Sequence, residues 1–288
     1  MIKSATALKA NVKNIANNNS KMAQAYIRLF FMERFLERVS KSRYKEQFIL
    51  KGGMLVSSMI GMSLRTTMDI DTSIEALPLS MDKMQEIIDE IINISIEDNV
   101  TFEIVSIETI MDEFDYPGIR IHMLGHLDKI NQPIKIDIST DDVITPKAVE
   151  YSYPLMFEKR EIALFTYNAE TLLAEKMQTI LSRGITNTRM RDFYDLYELI
   201  QIIDFSWDVY KNAFDKTCEK RKTIYEKEEA IRIMKEVAYD SDMENRWCQF
   251  RKKNDFVGDI MYKQLMDALM ETTNKLFHTS IDRSSYEN

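Results

Sequence analysis

The sequence predicts a mixed α/β fold of the α+β kind that turns almost wholly helical after about residue 165. Three observations carry this. All five prolines lie between Pro78 and Pro154. Of the seven glycines, only Gly184 and Gly258 come after Gly125. Runs that alternate apolar and polar residues end near residue 167, and beyond it the apolar spacing is helical. The expected division is 1–165 for a sheet-bearing part and 166–288 for a helical part.

Each element follows from its local pattern. Residues 24–39 place Ile27, Phe30, Phe31, Phe35, Leu36 and Val39 at helical spacing among charged residues, which predicts an amphipathic helix. Residues 54–60 are nearly all apolar and predict a short buried helix. Residues 66–74 predict a strand. Ser80 suits the N-cap of a helix running to about residue 94. Residues 100–107 alternate as a strand, and residues 116–118 (Tyr-Pro-Gly) predict a turn. Strands over 119–124 and 134–139 follow, joined by a 125–133 connection longer than a tight hairpin. Residues 162–167 suit one more short strand. Helical periodicity then covers 169–182, 190–203, 226–237 and 257–277, with room for others between.

The composition bounds the function. A chain of 288 residues with 45% hydrophobic content can bury a substantial core. No apolar run approaches a membrane span, and the first residues lack a signal-peptide apolar segment, so a cytoplasmic globular protein is expected. Cys218 and Cys248 are then expected as reduced thiols. The net charge of −8 and a pI near 5.2 exclude a surface coated by nucleic acid. Any polyanion site on such a chain has to be a compact basic patch.

The chemistry is concentrated around residues 51–71. Gly52-Gly53 sits at a helix start, where backbone N–H groups can meet phosphate. Asp69 and Asp71, two apart in a predicted strand, share one face. Two carboxylates held so close favour a cation, and a divalent metal that also binds phosphate oxygens supplies it. The bland alternative is a solvated edge strand. Arg65 and Thr66 precede the pair, and Arg65 suits either phosphate or the aspartates. Lys51 suits phosphate or solvent. Asp137, flanked by Ile136 and Ile138, would complete a three-carboxylate cluster and accept a proton from an attacking hydroxyl. Alternatively it faces solvent or pairs with Lys135 or Arg120.

The helical half carries its own charged cluster. Lys176, Arg183, Arg189 and Arg191 fall within sixteen residues, which suits a phosphate-binding patch or a set of surface salt bridges. Lys176 is placed to hold a triphosphate, with Asp192 orienting it or bonding the base or ribose. Phe193, Leu196, Tyr197 and Ile200 form the expected core stripe, leaving Arg191 and Asp195 as an i, i+4 pair. Lys220-Arg221-Lys222 and Arg251-Lys252-Lys253 read as solvated helix ends able to grip RNA phosphates.

With these residues in view, the chain resembles the AbiEii/MenT nucleotidyltransferase toxins of type IV toxin–antitoxin and abortive-infection systems, within the DNA polymerase beta-like nucleotidyltransferases. The matching segments are Lys51-Gly52-Gly53, Arg65-Thr66-Thr67-Met68-Asp69-Ile70-Asp71, Lys135-Ile136-Asp137, Ala174-Glu175-Lys176-Met177 and Arg189-Met190-Arg191-Asp192-Phe193-Tyr194-Asp195-Leu196, with a familiar tail over 247–256. Glycine at position 53, where the superfamily has serine, keeps the turn and drops a hydroxyl. The resemblance implies a mixed sheet with flanking helices and a helical second half, and a nucleotide held where the two meet. It implies Asp69 and Asp71, joined by Asp137, as ligands of Mg²⁺ or Mn²⁺. It implies Lys176 as the triphosphate contact and Asp192 as a further catalytic residue. It also implies an NTP substrate, a tRNA 3′ end as acceptor and a cognate antitoxin encoded alongside. The competing readings are an antibiotic-modifying nucleotidyltransferase and a non-catalytic nucleotide-binding protein.

Overall fold

The computed structural model describes residues 1–17, 19–61, 67, 69–77, 80–111, 117–140 and 142–278. The chain divides into two compact units. The first contains Met1–Asp142 and Ala148–Tyr167; the second contains Val143–Lys147 and the chain from Asn168 onward.

The first unit runs α1 (Ala5–Ala16), α2 (Ser20–Lys41), β1 (Phe48–Lys51), α3 (Gly52–Ile60), β2 (Ile70–Ile74), α4 (Met81–Ile92), β3 (Thr101–Met111), β4 (Pro117–Leu127), β5 (Ile130–Thr140), β6 (Val149–Pro154) and β7 (Glu161–Thr166). Among the described residues these strands form one seven-stranded sheet in the order β3-β4-β5-β2-β1-β7-β6. It is mixed: β1 pairs parallel with β7 and β2 parallel with β5, while the other pairs are antiparallel. Ile70, Ile74, Ile136 and Ile138 are buried, which fixes the register of the central strands. Ser80 caps α4 by accepting the Lys83 N–H at 3.3 Å.

Helix α2 departs from the amphipathic expectation, because its charged residues are buried too. Glu33, Arg34, Glu37 and Arg38 lie among Phe30, Phe31 and Phe35. Arg34, Glu37 and Arg38 find charged partners, while Glu33 accepts the Met156 N–H. Arg38 grips Asp98 with two bonds of 2.9 Å, and Arg160 grips Glu37 at 2.7 and 2.8 Å. Buried charges are tolerated on these terms.

Three local expectations are corrected. The strand predicted over 66–74 begins at Ile70, so Asp69 stands in a bend just before it. The turn predicted over 116–118 is not one at Pro117 and Gly118, which open β4; Tyr116 lies outside the described residues. The long 125–133 connection is a tight hairpin through Asp128 and Lys129, with Leu127 paired to Ile130 and Asp128 at φ +51°. Gly125 misleads because it serves packing rather than a turn. A Cβ there would collide with the ring of Phe31 and lie 3.1 Å from Phe102 Cε1.

The second unit is helical: α5 (Ala169–Arg183), α6 (Met190–Ile202), α7 (Trp207–Lys220), α8 (Lys227–Tyr239), α9 (Ser241–Lys253) and α10 (Tyr262–His278). Helix α5 is its centre, packed on α6 and α7 with Leu173, Ala174, Met177 and Ile180 fully buried. Leu199 rather than Ile200 completes the core stripe of α6. Asn168 caps α5 through the Thr171 N–H at 2.8 Å, and its amide nitrogen donates to the carbonyls of Thr145 and Lys147 at 2.8 and 3.0 Å. That double use ties the segment Val143–Lys147 to this unit. No helix among the described residues is long and apolar enough to cross a membrane.

Candidate functional site

The first unit gathers its charges where β1 ends. Lys51 closes the strand and Gly52 opens α3 at φ +62°, a conformation that L side chains rarely adopt. Lys51, at the N-cap, makes no side-chain cap bond. Instead Asp71, on the neighbouring strand, accepts the Gly53 N–H at 3.3 Å. A carboxylate from another strand thus satisfies an orphan donor of the helix start. A Cβ on Gly52 would collide with Asp71 Oδ2 and lie 2.8 Å from its Cγ. Glycine is required there by both backbone and space.

The sheet register then builds a row. Lys51 stands opposite Asp71, Asp71 opposite Asp137, Asp137 opposite Arg120 and Arg120 opposite Glu108. Cross-strand partners share a face, so two acids at the centre are flanked by a lysine and an arginine. Arg120 holds both Asp137 oxygens at 2.8 and 2.9 Å. Lys135 lies 3.0 Å from Asp69 and 3.6 Å from Asp137, bridging them with its ammonium. Lys51 turns to Ser139 Oγ at 2.7 Å and Asp142 at 2.5 Å, so its neighbours are protein groups.

Asp71 is the electrostatic focus. Burial pushes its carboxyl above the usual range, and the nearby charges of Asp137 and Asp69 push it the same way. Lys51 and the Gly53 N–H oppose that rise. These oxygens suit a hard divalent cation, which would offset the crowding at Asp71. Among the described residues, no three acids, histidines or cysteines are gathered as a ready metal cage. Arg120 holds Asp137, and the Lys135 ammonium lies between Asp137 and Asp69. A carboxylate has about four lone-pair sites, and the Arg120 fork engages two of Asp137's. Arg65 and Thr66 lie outside the described residues.

In the second unit, Lys176 reaches from α5 to α6. Its Nζ donates to Asp195 Oδ2 at 2.8 Å and Asp192 Oδ1 at 3.2 Å. Asp195 is fully buried, and Lys176 and Asp192 are nearly so. Arg189 Nε lies 2.9 Å from Asp192 Oδ2 as an ion pair from the exposed side. The expected patch of four cations is therefore not uniform. Lys176 is interior and neutralised, while Arg183, Arg189 and Arg191 lie nearer the surface. Asp195 was the residue missed. Its i, i+3 spacing from Asp192 already placed both on one helix face. The possible i, i+4 pair with Arg191 gave no pointer to Lys176.

A family model described as "Nucleotidyl transferase AbiEii toxin, Type IV TA system" matches residues 34–270. No curated relative matches the chain. Among solved structures, JHP933 from Helicobacter pylori is 15% identical, with a TM-score of 0.51 over 88% of this chain and 94% of that one. A presumed nucleotidyltransferase of the same organism is also 15% identical, with a TM-score of 0.52 over 88% and 96% of the two chains. At this identity the likeness speaks for the fold.

Proposed function

Because the chain belongs to the AbiEii nucleotidyltransferase toxins of type IV toxin–antitoxin systems, we propose that it moves a nucleotide from an NTP to the 3′ hydroxyl of an RNA, a tRNA above all, and so blocks translation. The observation that carries this reading is Asp71 seated against the Gly52-Gly53 helix start with Asp137 beside it.

The residues take these roles. Asp69 and Asp71 hold a divalent cation, Mg²⁺ or Mn²⁺, with Asp137 contributing the lone pairs that Arg120 does not use. A cation bound there supplies charge stabilisation to the phosphoryl oxygens. The Gly52 turn brings phosphate to the helix start, where Asp71 already holds the Gly53 N–H. The acceptor hydroxyl oxygen attacks the α-phosphorus. The bond to the α–β bridging oxygen breaks, and pyrophosphate leaves with that electron pair. Asp137 takes the hydroxyl proton. Lys176 and the arginines Arg183, Arg189 and Arg191 serve the triphosphate, and Asp192 with Asp195 sets the position of the lysine ammonium. The family implies an NTP substrate and a cognate antitoxin. The chain meets both, with its RNA, in the cytoplasm.

The test is label transfer. The protein is incubated with each radiolabelled NTP in turn, Mg²⁺ and total cellular RNA. Label should enter RNA of tRNA size from a preferred NTP, and Asp71→Asn should abolish it. Label found only on small molecules, or none with any NTP, would overturn the proposal.

A further inference from the structure

The basic helix end Arg251-Lys252-Lys253 has no part in the site described above. It closes α9, whose exposed face borders a cavity of about 490 Å³. That volume falls within the range of ligand pockets, roughly 300–1,000 Å³. Asn245, Arg246, Gln249 and Lys253 line it at helical spacing, and Thr188 and Met190 close the far side. Those two residues flank Arg189, the ion-pair partner of Asp192. The cavity therefore abuts the helix start that carries the second charged cluster, all within one unit.

Its walls have a definite chemistry. Phe250 presents an aromatic ring, braced by Trp247 at 5.7 Å and Phe256 at 6.0 Å between centroids. Phe256 in turn rests on Tyr194 of α6. The ring is thus pre-positioned. Arg246 donates to the carbonyls of Ile185 and Asn187, at 2.8 and 3.2 Å, and to a thioether. Among the described residues neither Arg246 nor Lys253 has a carboxylate within ion-pair distance, and the amides of Asn245 and Gln249 have no hydrogen-bond partner. A helix C-terminus carries only about half a negative charge, which three terminal cations exceed.

We propose that this cavity grips one unpaired ribonucleotide of the acceptor strand. The base lies against Phe250, its edge meets the amides of Asn245 and Gln249, and its phosphates meet Arg246 and Lys253. A flat ring, two-way amide groups and two cations set against the one carboxylate of the lining, Asp242, are what single-stranded RNA recognition uses. An acidic peptide would engage the cations alone. The inference rests on the RNA-acceptor reading and adds to it a place for the strand.

The experiment is fluorescence anisotropy of the full chain with a short fluorescein-labelled single-stranded oligoribonucleotide, without NTP or metal. Lys253→Glu and Gln249→Ala change exposed side chains. Phe250→Leu keeps apolar volume while removing the ring. Each should weaken binding, about tenfold for the loss of stacking. Lys253→Glu should also lower the salt slope of log K by about 0.7 or more. Asp71→Asn should abolish label transfer yet bind the oligoribonucleotide as tightly as the unaltered chain. Binding that stays within twofold in all three cavity variants would overturn the grip, even if label transfer to RNA proceeds. So would a polyglutamate peptide that displaces the oligoribonucleotide and binds more tightly. Intact, cavity-dependent RNA binding with no transfer from any NTP would instead sink the transferase reading and leave the grip standing.

Discussion

Asp71 and Asp137 stand opposite one another on neighbouring parallel strands, one bonded to a helix start and the other to an arginine fork. The sheet forces two acids together, and the surrounding groups only partly offset their repulsion. Crowding of this kind belongs to binding sites more than to stabilising frameworks.

A cation should therefore stabilise the chain, and the aspartates should be why. At about 100 times its Kd, a bound ion adds about 2.7 kcal/mol. Thermal melts in Mg²⁺ should show a rise in Tm that disappears in the Asp69→Asn, Asp71→Asn double variant. In metal-free buffer the double variant should match or exceed the unaltered chain, because a crowded acid has been neutralised. An undiminished Mg²⁺ shift in the double variant would place the ion elsewhere.

Gly52→Ala tests the helix start. Residues other than glycine bear a penalty on the order of 1 kcal/mol at positive φ. The added methyl must also displace the Asp71 carboxylate. Stability to urea should fall by about 1–3 kcal/mol, and the Mg²⁺-induced rise in Tm should shrink with it. Full retention of that rise would mean that Asp71 is not set by the glycine.

Much of this arrangement was legible in the sequence, and what escaped has physical causes. The glycine pair and the two spaced aspartates were readable because each shows in local spacing. The ion pair of Asp137 with Arg120 was foreseeable only as one of several options, since register across β4 and β5 depends on a turn seventeen residues wide at its base. That turn was misjudged because Gly125 and Pro133 signal breaks, whereas Gly125 is small to admit Phe31. Lys51 was left between phosphate and solvent because its partners Ser139 and Asp142 are about ninety residues away. Asp195 was read only as a possible i, i+4 partner of Arg191 because such a pair is the default for alternating charges, while burial between helices leaves no mark in spacing alone.

Lys176 and Asp195 give a third expectation, in which burial decides the magnitude. Removing one partner of a buried pair leaves an uncompensated charge and costs about 3–5 kcal/mol. Asp192 still faces the lysine, so Asp195→Ala should lie near the lower end, about 3 kcal/mol. The ion pair of exposed Arg189 with Asp192 is worth about 0–1 kcal/mol, so Arg189→Ala should barely shift the urea midpoint. Equal losses in the two variants would contradict the buried geometry.

The last expectation concerns pH and lies away from the transfer chemistry. Glu33 is fully enclosed in α2, with Oε1 accepting the Met156 N–H at 3.0 Å and Oε2 without a hydrogen-bond partner among the described residues. Burial pushes its carboxyl up to about 8, with Glu158 adding to the rise and the Met156 N–H, Arg34 and Arg160 opposing it. The folded chain then keeps a proton that the unfolded chain releases near 4.5. Between those values the unfolded state binds fewer protons, so stability falls as pH rises, by up to about 1.4 kcal/mol per pH unit. Above about 8 both states are ionised and the slope vanishes. Glu33→Gln has the same shape and cannot ionise. It should unfold at nearly the same urea concentration as the unaltered chain at pH 5 and at a clearly higher one at pH 8, a gain on the order of a few kcal/mol. Other titrating groups are common to both chains and cancel in the comparison. A difference between the two midpoints that does not change from pH 5 to pH 8 would show that Glu33 is ionised in the folded chain throughout.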